Sequence, residues 1–167
     1  MFRIGLLSDT HGFYDKRFAE HFKVCDEIWH AGDIGDIEVA SLLSSIAPLV
    51  AVYGNIDGTA IRSRFPGHQR QTREGLDIWM THIGGYPGNY DRRVKSEIFT
   101  NPPGLFISGH SHILKVIPDK KLGLLHMNPG AAGRNGLHQV RTLLRFEIEQ
   151  GNIGNVDVIE LGSRSSA

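Results

Sequence analysis

A single cysteine, Cys25, occurs in the 167 residues, which excludes an internal disulfide framework and any cysteine-rich zinc site. That usage fits a reducing, cytoplasmic setting. Charge of one sign is also missing. Lysine plus arginine and aspartate plus glutamate each total 18, so no bulk positive field argues for nucleic-acid binding, although a local basic patch stays open. Long apolar runs are absent too, and no stretch approaches the roughly 20 residues of a membrane span. The apolar opening Met1 to Leu7 runs straight into Ser8-Asp9 and is too short for a signal peptide, so it reads as a buried first strand. There is no repeat, low-complexity segment or linker. Residues 1–167 therefore read as one domain, long enough to close a core. An apolar fraction of 40% against 22% charged residues is that of an ordinary globular chain.

Periodicity divides the chain in two. In the first part, strands are expected over Phe2 to Ser8, Glu27 to Ala31 and Leu49 to Tyr53. Helices are expected over Lys16 to Phe22 and Ile37 to Ile46, the second with Asp36 as N-cap. Strand, turn, helix, strand in this order argues for parallel pairing with crossover helices. After Phe65 the pattern changes. His68 to Glu74 and Leu76 to Met80 read as a hairpin turning at Glu74-Gly75, Tyr90 to Phe99 as a helix, and Gly104 to Ser108 as a strand. Leu114 to Ile117, Leu122 to Met127, Arg141 to Glu149 and Val156 to Leu161 read as mainly antiparallel strands, with turns at Pro118-Asp119 and Gln150-Gly151-Asn152. Gly162 to Ala167 reads as a frayed tail.

The chemistry sits at the strand ends. Asp9-Thr10-His11 and Gly109-His110-Ser111-His112 each offer two metal-ligand residues at i and i+2, which on an extended chain point the same way. Between them Asp33 follows Gly32, Asn55 follows Gly54, and His82 precedes Gly84-Gly85. Seven oxygen and imidazole donors at strand ends suit a two-metal hydrolase, in which two cations about 3.5–4 Å apart bind phosphoryl oxygens and acidify water. Two adjacent dications need a bridging anion, for which Asp33 is the natural candidate. Donors without thiolate favour two divalent ions drawn from Mn, Zn or Fe, with Mn or Zn ahead. Taken singly, Asp9, Asp33 and Asn55 also read as turn residues and His82 as a strand-end histidine. Coincidence at seven positions favours the ligand reading.

These five segments, with Asn128-Pro129-Gly130-Ala131 after them, occur in the order found in calcineurin-like metallophosphoesterases. The chain resembles the small single-domain bacterial and archaeal phosphodiesterases of that superfamily from Phe2 to about Gly133. The resemblance implies an α/β fold, a four-layer α/β/β/α sandwich of two mixed β-sheets flanked by helices. It implies that Asp9, His11 and His112 hold one ion, that Asn55, His82 and His110 hold the other, and that Asp33 bridges them. Many relatives carry a histidine after the Gly-Asn pair and read His-Gly-His at the fourth segment. Here Ile56 and Ile83-Gly84 stand instead, so expulsion of alkoxide-like leaving groups is in doubt, and the Gly84 to Tyr90 loop is a candidate specificity element.

The expected function is a two-metal phosphoesterase acting on phosphodiesters rather than monoesters through a metal-bridging hydroxide, with Asp33 and Asn55 at the reaction centre. A small phosphate-ester substrate is expected, with no membrane partner, nucleic acid disfavoured and homo-oligomerisation open. The competing reading is a catalytically quiet scaffold that binds a partner protein; a nuclease is a third. Asp57, His30 and Arg134 stay open between structural and functional roles. His21, His68, His126 and His138 read as structural or surface residues, Arg92-Arg93-Val94-Lys95 as an exposed helix face, and Cys25 as a small core residue.

Overall fold

Side-chain alternation decides the first strand, β1 (Phe2–Leu7). Ile4 and Leu6 face one apolar layer and Leu7 faces another, as the period-2 geometry of a strand buried on both faces requires. Gly5 lets the neighbouring helix close down on the strand, since a Cβ there would stand 2.6 Å from Cε1 of Phe22. The helix is α1 (Arg17–Phe22), and Phe18 and Phe22 are both fully buried by it. Emptying either position to alanine would cost about 3–5 kcal/mol.

The computed structural model describes residues 1–165. Beyond α1 come β2 (Glu27–His30), α2 (Ile37–Ser44), β3 (Leu49–Ala51) and α3 (Thr59–Arg62). Strands β1, β2 and β3 pair in parallel. The chain then builds β4 (His68–Arg73), β5 (Leu76–Thr81), a small hairpin of β6 (Gly85–Tyr86) and β7 (Asn89–Tyr90), α4 (Lys95–Thr100) and β8 (Leu105–Ile107). It ends with β9 (Lys115–Asp119), β10 (Leu124–Asn128), β11 (Val140–Glu149) and β12 (Asn152–Ser163). One sheet runs β12-β11-β1-β2-β3 and the other β4-β5-β8-β10-β9, each mixed. Ile4, Leu6, Trp29 and Phe146 meet Ile78, Met80, Leu105 and Ile107 between the sheets. Helices α1, α2 and α3 cover the outer face of the first sheet through Phe18, Phe22, Leu43 and Ile61. On the far side, α4 and the small hairpin cover the second sheet through Val94, Ile98 and Tyr90. This is the expected α/β/β/α sandwich. No helix among the described residues is long and apolar enough to cross a membrane.

Several local expectations shift. The segment expected as one helix from Tyr90 to Phe99 starts as strand β7, and only Lys95–Thr100 is helical. Within Arg92-Arg93-Val94-Lys95, Val94 is fully buried, so the run is not a uniformly exposed face. Pro118 and Asp119 lie inside β9 and the turn follows them, because Pro118 stands on an edge strand that needs no N–H there. The final strand is longer than expected: Ser163 pairs with Val140, which brings Gly162 and Ser163 into the sheet. Arg164 and Ser165 then form a turn, and Ser166 and Ala167 of the expected tail lie outside the described residues. The Asp36 cap is present, its Oδ1 accepting from the Glu38 N–H at 2.9 Å. The Glu74-Gly75 and Gln150-Gly151 turns carry the paired positive φ angles of two-residue hairpin loops.

Candidate metal centre

All five segments leave the C-terminal ends of β1, β2, β3, β5 and β8. The extended-chain picture of the two i, i+2 pairs does not hold. Asp9, His11, Asp33, His110 and His112 all have left-handed φ angles, of 55°, 46°, 57°, 70° and 61°. Non-glycine residues enter that region at a cost, and such residues gather at functional sites. Backbone bonds between neighbouring loops hold them there. The Asp9 and His11 N–H groups donate to the Gly32 and Asp33 carbonyls at 3.0 Å, and the Gly109 N–H donates to the His82 carbonyl at 2.9 Å. The loops are too close for side chains: a Cβ on Gly32 would stand 2.6 Å from His82 Nδ1, and one on Gly109 would stand 2.9 Å from Asp9 Oδ2.

Two groups of ligand-type atoms result. Asp9, His11 and His112 form one and Asp33, His82 and His110 the other, with donor atoms inside each lying within 4.8 Å of one another. The two histidines of the Gly109–His112 segment thus fall into different groups. The groups touch. Asp9 Oδ1 lies 3.1 Å from His112 Nε2, 3.7 Å from His11 Nε2 and 3.8 Å from His82 Nε2. Asp33 Oδ2 lies 3.2 Å from His82 Nε2 and 3.5 Å from His11 Nε2, so it faces both groups. Asn55 is exposed at the turn after β3 and shares a small cavity with His82.

Each carboxylate has one oxygen spoken for. Asp9 Oδ2 accepts from the Ser8 hydroxyl at 2.6 Å and the His110 N–H at 3.1 Å, leaving Oδ1 to the imidazoles. Asp33 Oδ1 accepts from the Ile56 N–H at 3.1 Å, leaving Oδ2. The imidazoles are oriented as well. His82 Nδ1 lies 2.7 Å from the Ala31 carbonyl, which can only accept, so the proton is on Nδ1 and Nε2 presents a lone pair. His138 Nε2 donates to the Gly133 carbonyl at 2.8 Å, so its Nδ1 accepts from His112 Nδ1 at 3.3 Å. His112 Nε2 is then a lone pair too, facing the Asp9 carboxylate. His82 Nε2 and His11 Nε2 are buried without a hydrogen-bond partner. Lone pairs aimed at carboxylate oxygens repel one another unless positive charge, a second ring proton or a metal ion, stands between them. The donor set fits two hard-to-borderline divalent ions on this ground.

The titration behaviour has the same origin. Burial opposes charge on Asp9, but His11, His112, His82 and Ser8 outweigh it and hold its carboxyl well below the usual range. For Asp33 burial is likewise overcome by His82 and the Ile56 N–H. The Asp9 carboxylate raises His11 above its ordinary value. Burial works against a proton on His82, yet Asp33 and Asp9 raise it all the same. His110, farther from the carboxylates, is lowered by burial and by His82.

Residues 2–151 match the model of the calcineurin-like phosphoesterase superfamily domain. The chain belongs to that superfamily. It is 33% identical over 140 residues to a probable metallophosphoesterase of Methanocaldococcus jannaschii, covering 77% of this chain and 67% of that protein. The zinc complex of Vps29 from Entamoeba histolytica shares the fold at 16% identity, with a TM-score of 0.75 over 96% of this chain and 99% of that one. An archaeal phosphodiesterase shares it at 21% identity, with a TM-score of 0.68 over 95% and 100%. Membership implies a hydrolase, and a family dependent on divalent metals.

Within this superfamily member, the residues left open in the sequence find places. His30 is fully buried; it accepts from the Gly32 N–H at Nδ1 (3.1 Å) and meets Thr10 Oγ1 at Nε2 (3.0 Å), tying the first two site loops together. Burial pushes it down to about 4, so it stays neutral. Asp57 accepts from the N–H groups of Ile34, Gly35 and Gly54 at 3.1, 2.8 and 2.8 Å, which makes it a clamp between the second and third site loops. Arg134 stacks over Phe13, with its guanidinium 4.1 Å from the ring centroid. Asn128 bonds the Gly109 carbonyl and Ser111 Oγ, both at 3.1 Å, and so orders the histidine loop. Cys25 is a buried residue of the outer core, as expected. His138, expected as a structural or surface residue, stands instead against the His112 ring. No local signal marks it, because its partner His112 is 26 positions away.

Proposed function

We propose that the chain is a phosphodiesterase that works with two divalent cations, one at Asp9, His11 and His112 and one at Asn55, His82 and His110, with Asp33 facing both. The observation that carries this reading is the pair of fixed tautomers: His82 and His112 turn lone pairs toward carboxylate oxygens at 3.2 and 3.1 Å. The chemistry that such cations supply when bound is polarisation of the phosphoryl group and a nucleophile available at neutral pH, with Mn or Zn favoured. The chain's own residues orient and hold. Ser8 and the His110 N–H fix the Asp9 carboxylate, and the Ile56 N–H fixes Asp33. Asn55, on the exposed rim, presents its amide to a phosphoryl oxygen.

Two features support a diester over a monoester. Ile56 follows Asn55 and has no proton to give a leaving group, which favours substrates whose leaving group needs little help. Cavities also lie on both sides of Ile83, one of about 410 Å³ beside His110 and one of about 180 Å³ beside Asn55 and His82. A phosphodiester has two organic arms to accommodate; a monoester has one.

The test is elemental analysis after loading with Mn or Zn, with turnover of bis(p-nitrophenyl) phosphate against p-nitrophenyl phosphate. Two metal equivalents and faster diester turnover are expected, and Asp33→Asn should lose both activity and metal at neutral pH. Full activity in that variant refutes the assignment. Less than one equivalent with no turnover would instead make the chain a catalytically quiet scaffold.

A further inference from the structure

The larger cavity, beside His110, has a chemistry of its own. One wall is the β6–β7 hairpin with Tyr86, and the other is Lys115 at the start of β9; His126 of β10 also lines it. Lys115 Nζ lies 4.4 Å from the Tyr86 ring centroid and forms no ion pair among the described residues. Arg92 on the rim forms none either, while Asp91, the carboxylate beside it, is taken by Arg93 at 2.9 Å. The cavity is therefore lined by two cations outside any ion pair of the described residues, one stacked on Tyr86 and one held only loosely by the field of Asp91.

His126 adds the opposite need. It is fully buried, and its Nδ1 lies 3.1 Å from the Phe106 carbonyl, so the proton is on Nδ1 and Nε2 is an acceptor. That Nε2 has no hydrogen-bond partner. Burial, with Lys115 nearby, pushes His126 down to about 4, so it is an acceptor and not a cation at neutral pH. A buried acceptor without a donor is unfavourable, and a ligand N–H or O–H placed against it would satisfy it.

We propose that this cavity is the subsite for one arm of the substrate, and that the arm is a nucleotide or sugar phosphate: it carries a second anionic group for Lys115 and Arg92 and an N–H or O–H donor for His126. The assignment rests on the phosphodiesterase reading, because it names the arm of that reaction's substrate. A bare aryl diester reaches the metal centre without using the subsite.

The experiment compares the p-nitrophenyl ester of thymidine 5′-phosphate with and without a phosphate on its 3′-hydroxyl, using bis(p-nitrophenyl) phosphate as reference. The extra phosphate should lower KM about fivefold at low salt, the worth of one partly exposed ion pair, with kcat unchanged. Lys115→Gln with Arg92→Gln should erase that difference and leave the reference substrate unaffected. His126→Phe, which keeps a flat ring, should raise KM for both thymidine esters, and His126→Gln, which keeps an acceptor, should restore it. Binding of thymidine 3′,5′-bisphosphate by calorimetry to metal-free protein gives a readout independent of turnover. Bisphosphate binding that depends on Lys115, with no turnover of any diester, would keep the subsite and remove the hydrolase. Turnover of the reference diester with no gain from the extra phosphate and no bisphosphate binding would overturn the subsite alone.

Discussion

Asp57 offers the sharpest test of how the site is held. Its carboxylate is 4% exposed and accepts three backbone N–H bonds, Oδ2 from Ile34 and Gly54 and Oδ1 from Gly35. Truncation to alanine strands all three donors. Gly35 is exposed and can turn to water, but Ile34 and Gly54 are buried. A buried donor left unpaired costs about 1–3 kcal/mol, so Asp57→Ala should lose about 2–6 kcal/mol. Against a total of about 5–15 kcal/mol for a typical domain, that is a large share. Asp57→Asn keeps one oxygen for the Ile34 and Gly54 bonds and turns an amide NH₂ toward Gly35, so it should lose much less. Urea unfolding of the metal-free chain, followed by tryptophan fluorescence, measures both. A clamp makes alanine far worse than asparagine in stability, and lowers activity only through a displaced Gly54-Asn55 turn. Alanine within about 1 kcal/mol of wild type, but inactive, would refute the clamp and point to direct chemistry by Asp57.

Three further outcomes are expected. His138→Ala releases the His112 tautomer and should weaken binding of one of two metal equivalents about 10–100-fold, read by competition with a chelator; unchanged affinity for both would remove His138 from the site. Acid should destabilise the fold through His30 and His126, both lowered from 6.5 to about 4. Their neutral forms stabilise fully above pH 6.5, and that contribution is lost as pH falls toward 4, about 3 kcal/mol for each group. His126→Phe should therefore show a shallower decline in unfolding free energy between pH 7 and 5 than wild type, and an equal slope would count against the burial argument. Lower still, Asp15 sits at about 2 because Arg17 and Arg141 outweigh its burial, so its contribution holds above 3.8 and is lost as pH drops through 2. Asp15→Asn should be less stable at pH 5 by about 2 kcal/mol and level with wild type near pH 2.

Much of this molecule is written locally. The parallel β1-β2-β3 unit was readable because apolar runs, a capping Asp36 and glycine turns are short-range signals, and the candidate ligands stood out because Asp, Asn and His recur at the ends of those runs. The hairpin β6–β7 was not readable: two-residue strands have no period, and Tyr90, buried with Val94 and Ile98 at four-residue spacing, mimics the first turn of a helix.

What the sequence by itself determined is which residue types reach the strand ends and in what order. Only the tertiary structure decided what each one presents. The left-handed turns at Asp9, His11, Asp33 and His110 are held by bonds from neighbouring loops. The protons on His82 and His112 are set by Ala31, 51 positions away, and by His138 backed by Gly133. A tautomer is chosen by whichever acceptor lies against the ring, and that neighbour is known only once the chain has folded.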